Sequence, residues 1–284
     1  VLLFVLAIRG LTLPGGIDGL KFLFLPRFDE LTASAIVLAL GHSFFTLSLG
    51  MGTMITYGSY LNKKQNLLNS ALWVIALDTA IALLAGTAIF TSVFAAGADP
   101  DGGPGLIFYI LPSIFPQLAY GAIWGTLFFT LLFMAALTSA ISILEVVTAY
   151  FIDQKGWSRN RATIQFGAII TVVGVFCSFS MGGGINIAEY FGSSFQHYLG
   201  ETFFDVMDNL SSKYMLPFGG MMNAIFILVR WGVPSFLSEF GGENLDSEKN
   251  RLIVTIFCFI AAGVAGFILL NELIETITGN AIIG

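Results

Sequence analysis

The chain has 284 residues, of which 56% are hydrophobic and only 11% charged, with 28 Phe, 32 Gly and a formal net charge of −6; its mean hydropathy is +0.85. A water-soluble domain of this length could not hide that much apolar surface, so the composition excludes one. The acids are scattered and form no run, and basic residues form no patch, which argues against nucleic acid as a partner and leaves the lipid bilayer as the solvent.

A membrane-spanning helix needs about 20 mostly apolar residues. The chain supplies such runs at about 1–13, 33–61, 67–96, 119–151, 162–182, 206–231 and 251–276. The first is short and reads as the tail of a span whose beginning is missing, and no cleavable signal precedes it. Basic residues mark the cytoplasmic side. Lys63, Lys64, Lys155, Arg159, Arg161, Arg230, Lys249 and Arg251 then lie inside, and Arg9, Lys21, Arg27 and Lys213 opposite. The outer loops are GGIDGLKFLFLPRFDELT, an apolar stretch at about 97–118, and GGGINIAEYFGSSFQHYLGETFF. The second is too short to span and reads as a lid or re-entrant segment.

The span at 33–61 is interrupted by Thr46, Ser48, Gly50 and Gly52. A glycine inside a helix costs about 1 kcal/mol relative to alanine, and hydroxyls compete for backbone hydrogen bonds, so the helix is expected to unwind near 46–52. Carbonyls freed inside a membrane must face protein or a polar cavity, which is how broken helices of transporters bind ions and substrates. Close packing of helices through small residues is the alternative.

Along the next spans, Asp78 lies far from either end of 67–96. A carboxylate there costs at least ~2.5 kcal/mol, so a cation or a hydrogen-bond network must compensate. In the span at 119–151, Ala135, Thr138, Ser139, Ser142 and Glu145 recur at helical spacing. Their hydroxyl and carbonyl oxygens suit a hard monovalent cation, while helix packing explains the stripe equally well. Glu145, near the cytoplasmic end, reads as structural. Asp205 and Asp208 share a helix face at an outer mouth, as helix-start acids or as part of a gate. His42 reads as a satisfied interior histidine and His197 as a loop residue, while Cys177 and Cys258 read as small buried hydrophobes. No nucleophile, general-base or phosphate-loop motif occurs, so the chain does not read as an enzyme. A channel would need a continuous polar pore, which the many Phe residues argue against.

GHSFFTLSLGMGTMITYGSY resembles the sixth, unwound helix of the neurotransmitter:sodium symporters. LDTAIALLAGTAIF resembles the family's seventh helix, AALTSAISILEVV its eighth, FDVMDNLSSKYMLPFGG the start of its tenth, and the apolar lid its fourth outer loop. The resemblance implies an all-α integral membrane protein of the inverted-repeat, five-plus-five sodium symporter fold. It covers helices five to eleven, incomplete at the N-terminus, so the missing N-terminal helices of the same protein become partners of the site. It implies sodium-coupled symport of amino acids, with Na+ as a co-transported ion.

Carried over by position, Phe45, Thr46, Ser48, Met51, Ser139 and Ile143 become substrate-pocket residues, with Phe45 the aromatic lid. Thr46 and Asp78 serve a first sodium site; Ala135, Thr138 and Ser139 serve a second. Asp208 matches the outer-gate acid, whose basic partner belongs to the missing first helix. The family often has Asn at Asp78, and its chloride-site Ser and Gln are Ala82 and His42 here. Asp78 then supplies the charge chloride would provide, making transport chloride-independent. Met51 and Ile143 favour a hydrophobic or aromatic amino acid. The short loops resemble bacterial members and place the chain in a bacterial inner membrane. The rival reading is a non-transporting fragment or structural membrane subunit.

Overall fold

The computed structural model describes residues 1–62, 65–100, 106–117, 119–181, 202–241 and 247–278, which fold as helices. Lys63, Lys64, His197, residues 101–105 of the lid and residues 182–201 of the last outer loop lie outside the described residues. Five helices are long and apolar enough to cross a membrane: α5 (Leu67–Ala95), α7 (Gly121–Lys155), α8 (Arg159–Met181), α9 (Phe203–Trp231) and α11 (Glu248–Thr278). Shorter helices are α1 (Leu2–Leu11), α2 (Gly16–Phe24), α3 (Ala33–Thr46), α4 (Thr53–Ser59), α6 (Leu111–Ile114) and α10 (Val233–Gly241). The chain forms two compact units, 1–30 with 73–141 and 31–72 with 142–284, so α5 and α7 each contribute to both.

The first unit is built on α1, bent by 112° into α2. Residues 15–32, read above as loop, therefore contain a helix. Its glycines serve that helix. Gly15 has φ +81° and starts the helix in the left-handed region, while side chains at Gly16 and Gly19 would collide with the backbone of Gly10 and Phe90. These glycines let α2 lie directly on its neighbours. The apolar lid packs into the same unit, where Leu111, Ile114 and Phe115 join Leu6, Ala7, Ala88, Val93 and Phe128 in one core. The Phe115 and Phe128 rings meet at 5.7 Å, and Phe128 and Phe129 edge to face at 5.3 Å. Burial of that face explains why so apolar a segment is not a span.

In the second unit α3 stops at Thr46 and α4 begins at Thr53. Three of the residues between have left-handed backbones, Ser48 at φ 54°, Gly50 at 80° and Gly52 at 84°. Gly50 also lies against α9: a side chain at Gly50 would strike the carbonyl of Leu216, and one at Gly219 would strike the carbonyl of Gly50. The Phe44 ring covers Gly220. The break is thus clamped to α9 by backbone contact, which only glycine permits. On its other side α9 packs along α11, where Tyr214 and Thr276 share a hydrogen bond and the Met221 sulfur lies 3.3 Å from where a Cβ on Gly266 would stand.

Replacing Gly50 with Ala therefore combines a left-handed backbone with a collision. The expected loss is about 2–4 kcal/mol, seen as a lower melting temperature of the detergent-solubilised protein. Gly58→Ala, at a helical glycine with open space around it, serves as the control and leaves the melting temperature unchanged or raises it.

Candidate functional site

The broken helix supplies unspent backbone groups. Leu47 N–H bonds back to Ser43 (3.1 Å), Ser48 N–H to Phe45 (3.1 Å) and Leu49 N–H to Phe44 (2.8 Å), and regular bonding resumes from Thr56 N–H to Gly52 (2.9 Å). Among the described residues no backbone N–H bonds to the carbonyls of residues 46–51. In a segment that lipid would not satisfy, such carbonyls must face protein or a polar cavity; that of Gly50 packs against Gly219 of α9.

Two clefts lie along these helices, one beside α3 and one at the break. One, of about 300 Å³, is lined by His42, Phe45, Asp208, Ser212, Lys213 and Glu272 among others. The other, of about 200 Å³, is lined by Phe44, Ser48, Gly50, Gly52, Gly220 and Asn223 with apolar neighbours. In the first cleft the His42 imidazole stacks on Phe45, with centroids 6.2 Å apart and planes at 23°. Phe45 itself is half-exposed and lines the cleft.

The structure separates the two acids of α9. Asp205 closes a capping box: Thr202 N–H donates to its carboxylate at 2.9 Å, and Asp205 N–H donates to the Thr202 hydroxyl at 3.1 Å. Its carboxylate is committed to starting the helix. Asp208 is exposed and lines the 300 Å³ cleft beside Phe45.

The remaining sequence-derived residues divide between the units. Phe45, Thr46, Ser48, Met51 and Ile143 belong to the second, Asp78, Ala135, Thr138 and Ser139 to the first, and each group is described in its own unit. Within the first, the Thr138 hydroxyl donates to the Ala135 carbonyl at 2.8 Å, bringing two oxygens together on one face of α7. Ala135, Thr138 and Ser139 are all exposed, although they sit in an apolar span. Asp78 is half-buried and makes no ion pair or hydrogen bond with described residues of its unit. A charge in a span without a partner there calls for a ligand or a further segment.

At the far end of α4 a polar network was only partly visible in the sequence. The Tyr60 hydroxyl donates to Glu145 at 2.6 Å. Arg159 grips the same carboxylate with both terminal nitrogens, at 2.8 and 3.0 Å. One turn earlier the Tyr57 hydroxyl donates to Ser142 at 2.7 Å. Glu145, read as structural, thus ties α4, α7 and α8 at the end that the basic residues assign to the cytoplasm. The two tyrosines passed unnoticed in the sequence. Their spacing of three in TYGSY, matched by Ser142 and Glu145 three apart on α7, was the available signal. A bidentate guanidinium–carboxylate pair with an added phenol is stronger than an ordinary surface pair. Arg159→Gln and Tyr60→Phe should each lower stability, and a double-mutant cycle on Glu145 and Arg159 should return a measurable favourable coupling by thermal unfolding.

Comparison with known proteins adds a consistent picture. A family model described as "Sodium:neurotransmitter symporter family" matches residues 1–280. An uncharacterized sodium-dependent transporter, YhdH, of Bacillus subtilis is 37% identical over 245 residues, 86% of this chain and 52% of that protein. Another uncharacterized sodium-dependent transporter, from Haemophilus influenzae, is 35% identical over 260 residues, covering 90% and 53%. The crystal structure of MhsT in complex with L-phenylalanine superposes with a TM-score of 0.80 at 43% identity, over 95% of this chain and 59% of that one. The chain spans about half the length of the curated relatives it matches.

Proposed function

We propose, from the premise that the chain belongs to the sodium:neurotransmitter symporter family, that it forms the substrate-closing part of a sodium-coupled symporter for hydrophobic or aromatic amino acids. The observation that carries this reading is the helix break, where the carbonyls of residues 46–51 accept no backbone N–H among the described residues and Ser48, Gly50 and Gly52 line a cleft of about 200 Å³; Phe45 and Asp208 line a second cleft beside α3. Such a break has the chemistry to coordinate a monovalent cation and to take the polar head of a zwitterion. The protein is a multi-pass integral membrane protein and not an enzyme; its bacterial relatives support a bacterial inner membrane.

In this reading Thr46 and Asp78 hold one sodium ion. The Ala135 carbonyl with the Thr138 and Ser139 hydroxyls holds a second. Phe45, Thr46, Ser48, Met51, Ser139 and Ile143 surround the amino acid. The exposed stripe Ala135, Thr138 and Ser139 and the unpaired Asp78 are then faces that the family's first helices cover in the full-length protein. The hydrophobic or aromatic class is supported by Met51 and Ile143, and by the L-phenylalanine bound to MhsT. Asp78, a fixed negative charge where the family often carries Asn, makes chloride unnecessary.

Mechanistically, sodium binding at the break stabilises an outward-open arrangement, because the unspent carbonyls gain a partner only there. The amino acid then draws Phe45 over itself. Opening of the opposite side requires release of the Tyr60, Glu145 and Arg159 network, which otherwise ties α4 to α7 and α8. The sodium gradient drives the cycle through the differential affinity of these states.

Binding of radiolabelled leucine, phenylalanine and tryptophan to the full-length protein tests this reading. Saturable binding that requires sodium, is weakened at least about tenfold in Asp78→Ala and Thr138→Ala, and is equal in chloride and gluconate supports it. Binding indifferent to sodium and to both substitutions in folded protein contradicts it and favours a structural membrane subunit. A strict chloride requirement overturns the role given to Asp78.

A further inference from the structure

We propose that Lys213 is a mobile counter-ion for the outer gate, exchanging between Glu272 and Asp208 and so setting how long an amino acid stays trapped beneath Phe45. The inference rests on the symporter reading and adds to it a gating residue on the same helix as the gate acid.

The backbone of α9 carries the first part of the argument. Residues Leu210–Met215 form a π-helical turn, in which hydrogen bonds run from residue i to i+5 and one residue is in effect inserted. In a regular α-helix, side chains five apart diverge, because each residue advances the angle by about a quarter turn or slightly more. The wider turn brings positions five apart closer to one face. Asp208 and Lys213 are five apart, and both line the 300 Å³ cleft with Glu272. The π-turn thus turns Lys213 to the mouth that Asp208 already occupies.

Charge bookkeeping carries the second part. The Lys213 ammonium lies 3.7 Å from Glu272, within reach of an ion pair but longer than a hydrogen bond. The lysine is half-exposed, while the glutamate side chain is only 15% exposed. A long flexible stem held by one loose contact is free to change partners. Asp208 has no ion pair among the described residues. The hydroxyls beside it are already used, since Ser211 and Ser212 donate to the Asp208 carbonyl at 3.0 and 2.6 Å. His42 and Lys213 are therefore the groups on this cleft that can carry positive charge to the Asp208 carboxylate. Of these, His42 is stacked on Phe45.

When Lys213 turns from Glu272 to Asp208, the mouth of the cleft carries an internal cation–anion lock above Phe45; when it returns, the lock is released. Glu272 is then the competitor that keeps the lock from being permanent. Removing Lys213 and removing its competitor must therefore have opposite effects on substrate release, whereas a purely structural pair gives the same effect from either side.

The test is the dissociation rate of radiolabelled L-phenylalanine from the full-length protein in sodium. Lys213→Gln should speed release about two- to fivefold, the worth of a half-exposed charge pair, and Lys213→Arg should leave it near wild type. Glu272→Gln should slow release by a similar factor. The exchanged pair Lys213→Glu with Glu272→Lys keeps an ion pair but sets an acid beside Asp208, and should release at least as fast as Lys213→Gln. If both single variants shift in the same direction, or the exchanged pair behaves as wild type, Lys213 and Glu272 are only a structural pair and the proposal falls. If wild type shows no sodium-dependent binding at all, the symporter reading fails and takes the proposal with it.

Discussion

Everything distinctive in this chain depends on one constraint: a backbone carbonyl inside a membrane must find a partner within the protein or in a polar cavity. A run of about 20 apolar residues satisfies it by remaining helical. At residues 47–52 the chain does the opposite and holds left-handed backbones at Ser48, Gly50 and Gly52. Such conformations persist only when their surroundings enforce them. Here the enforcement is the backbone contact of Gly50 with Leu216, Gly219 and Gly220 of α9. The break is thus a built feature, held by an adjacent helix.

The two halves of the broken helix end in different chemistry. Beside α3 lies a cleft with an aromatic cover, Phe45, and three charged groups, Asp208, Lys213 and Glu272, of which Lys213 and Glu272 are in loose contact. Beyond α4 lies a tight network, with Tyr60 and Arg159 on one carboxylate at 2.6–3.0 Å. Loose, exposed charges rearrange at small cost, while a bidentate pair with a phenol must be broken as a unit.

Much of this was legible in the sequence because its strongest signals are physical necessities. Hydropathy located the long helices, since length and apolarity are what a span requires. The glycines and hydroxyls of SLGMGT marked the region where two helices meet, since they weaken helix where nothing else compensates. What stayed hidden depends on tertiary contact. Helix α2 lies in a stretch too short and polar to read as a span, and the close backbone contacts of Gly16 and Gly19 that seat it appear only in the fold. Asp205 and Asp208 are three apart and alike in sequence; only the capping hydrogen bonds of Thr202 distinguish them. The spacing of three shared by Tyr57 and Tyr60 with Ser142 and Glu145 is visible in the sequence, but their pairing across 85 residues is not. Nor could any pattern announce the π-turn at Leu210–Met215 that turns Lys213 to the cleft.

The most direct measurement is hydrogen–deuterium exchange over residues 46–53 in the full-length protein, with sodium, with sodium plus phenylalanine, and with potassium. If the break is the binding element, sodium and the amino acid together slow exchange of its amides while potassium leaves it fast. Equal exchange in all three conditions, in a protein that remains folded, would show that the break is only a packing device and would contradict the account.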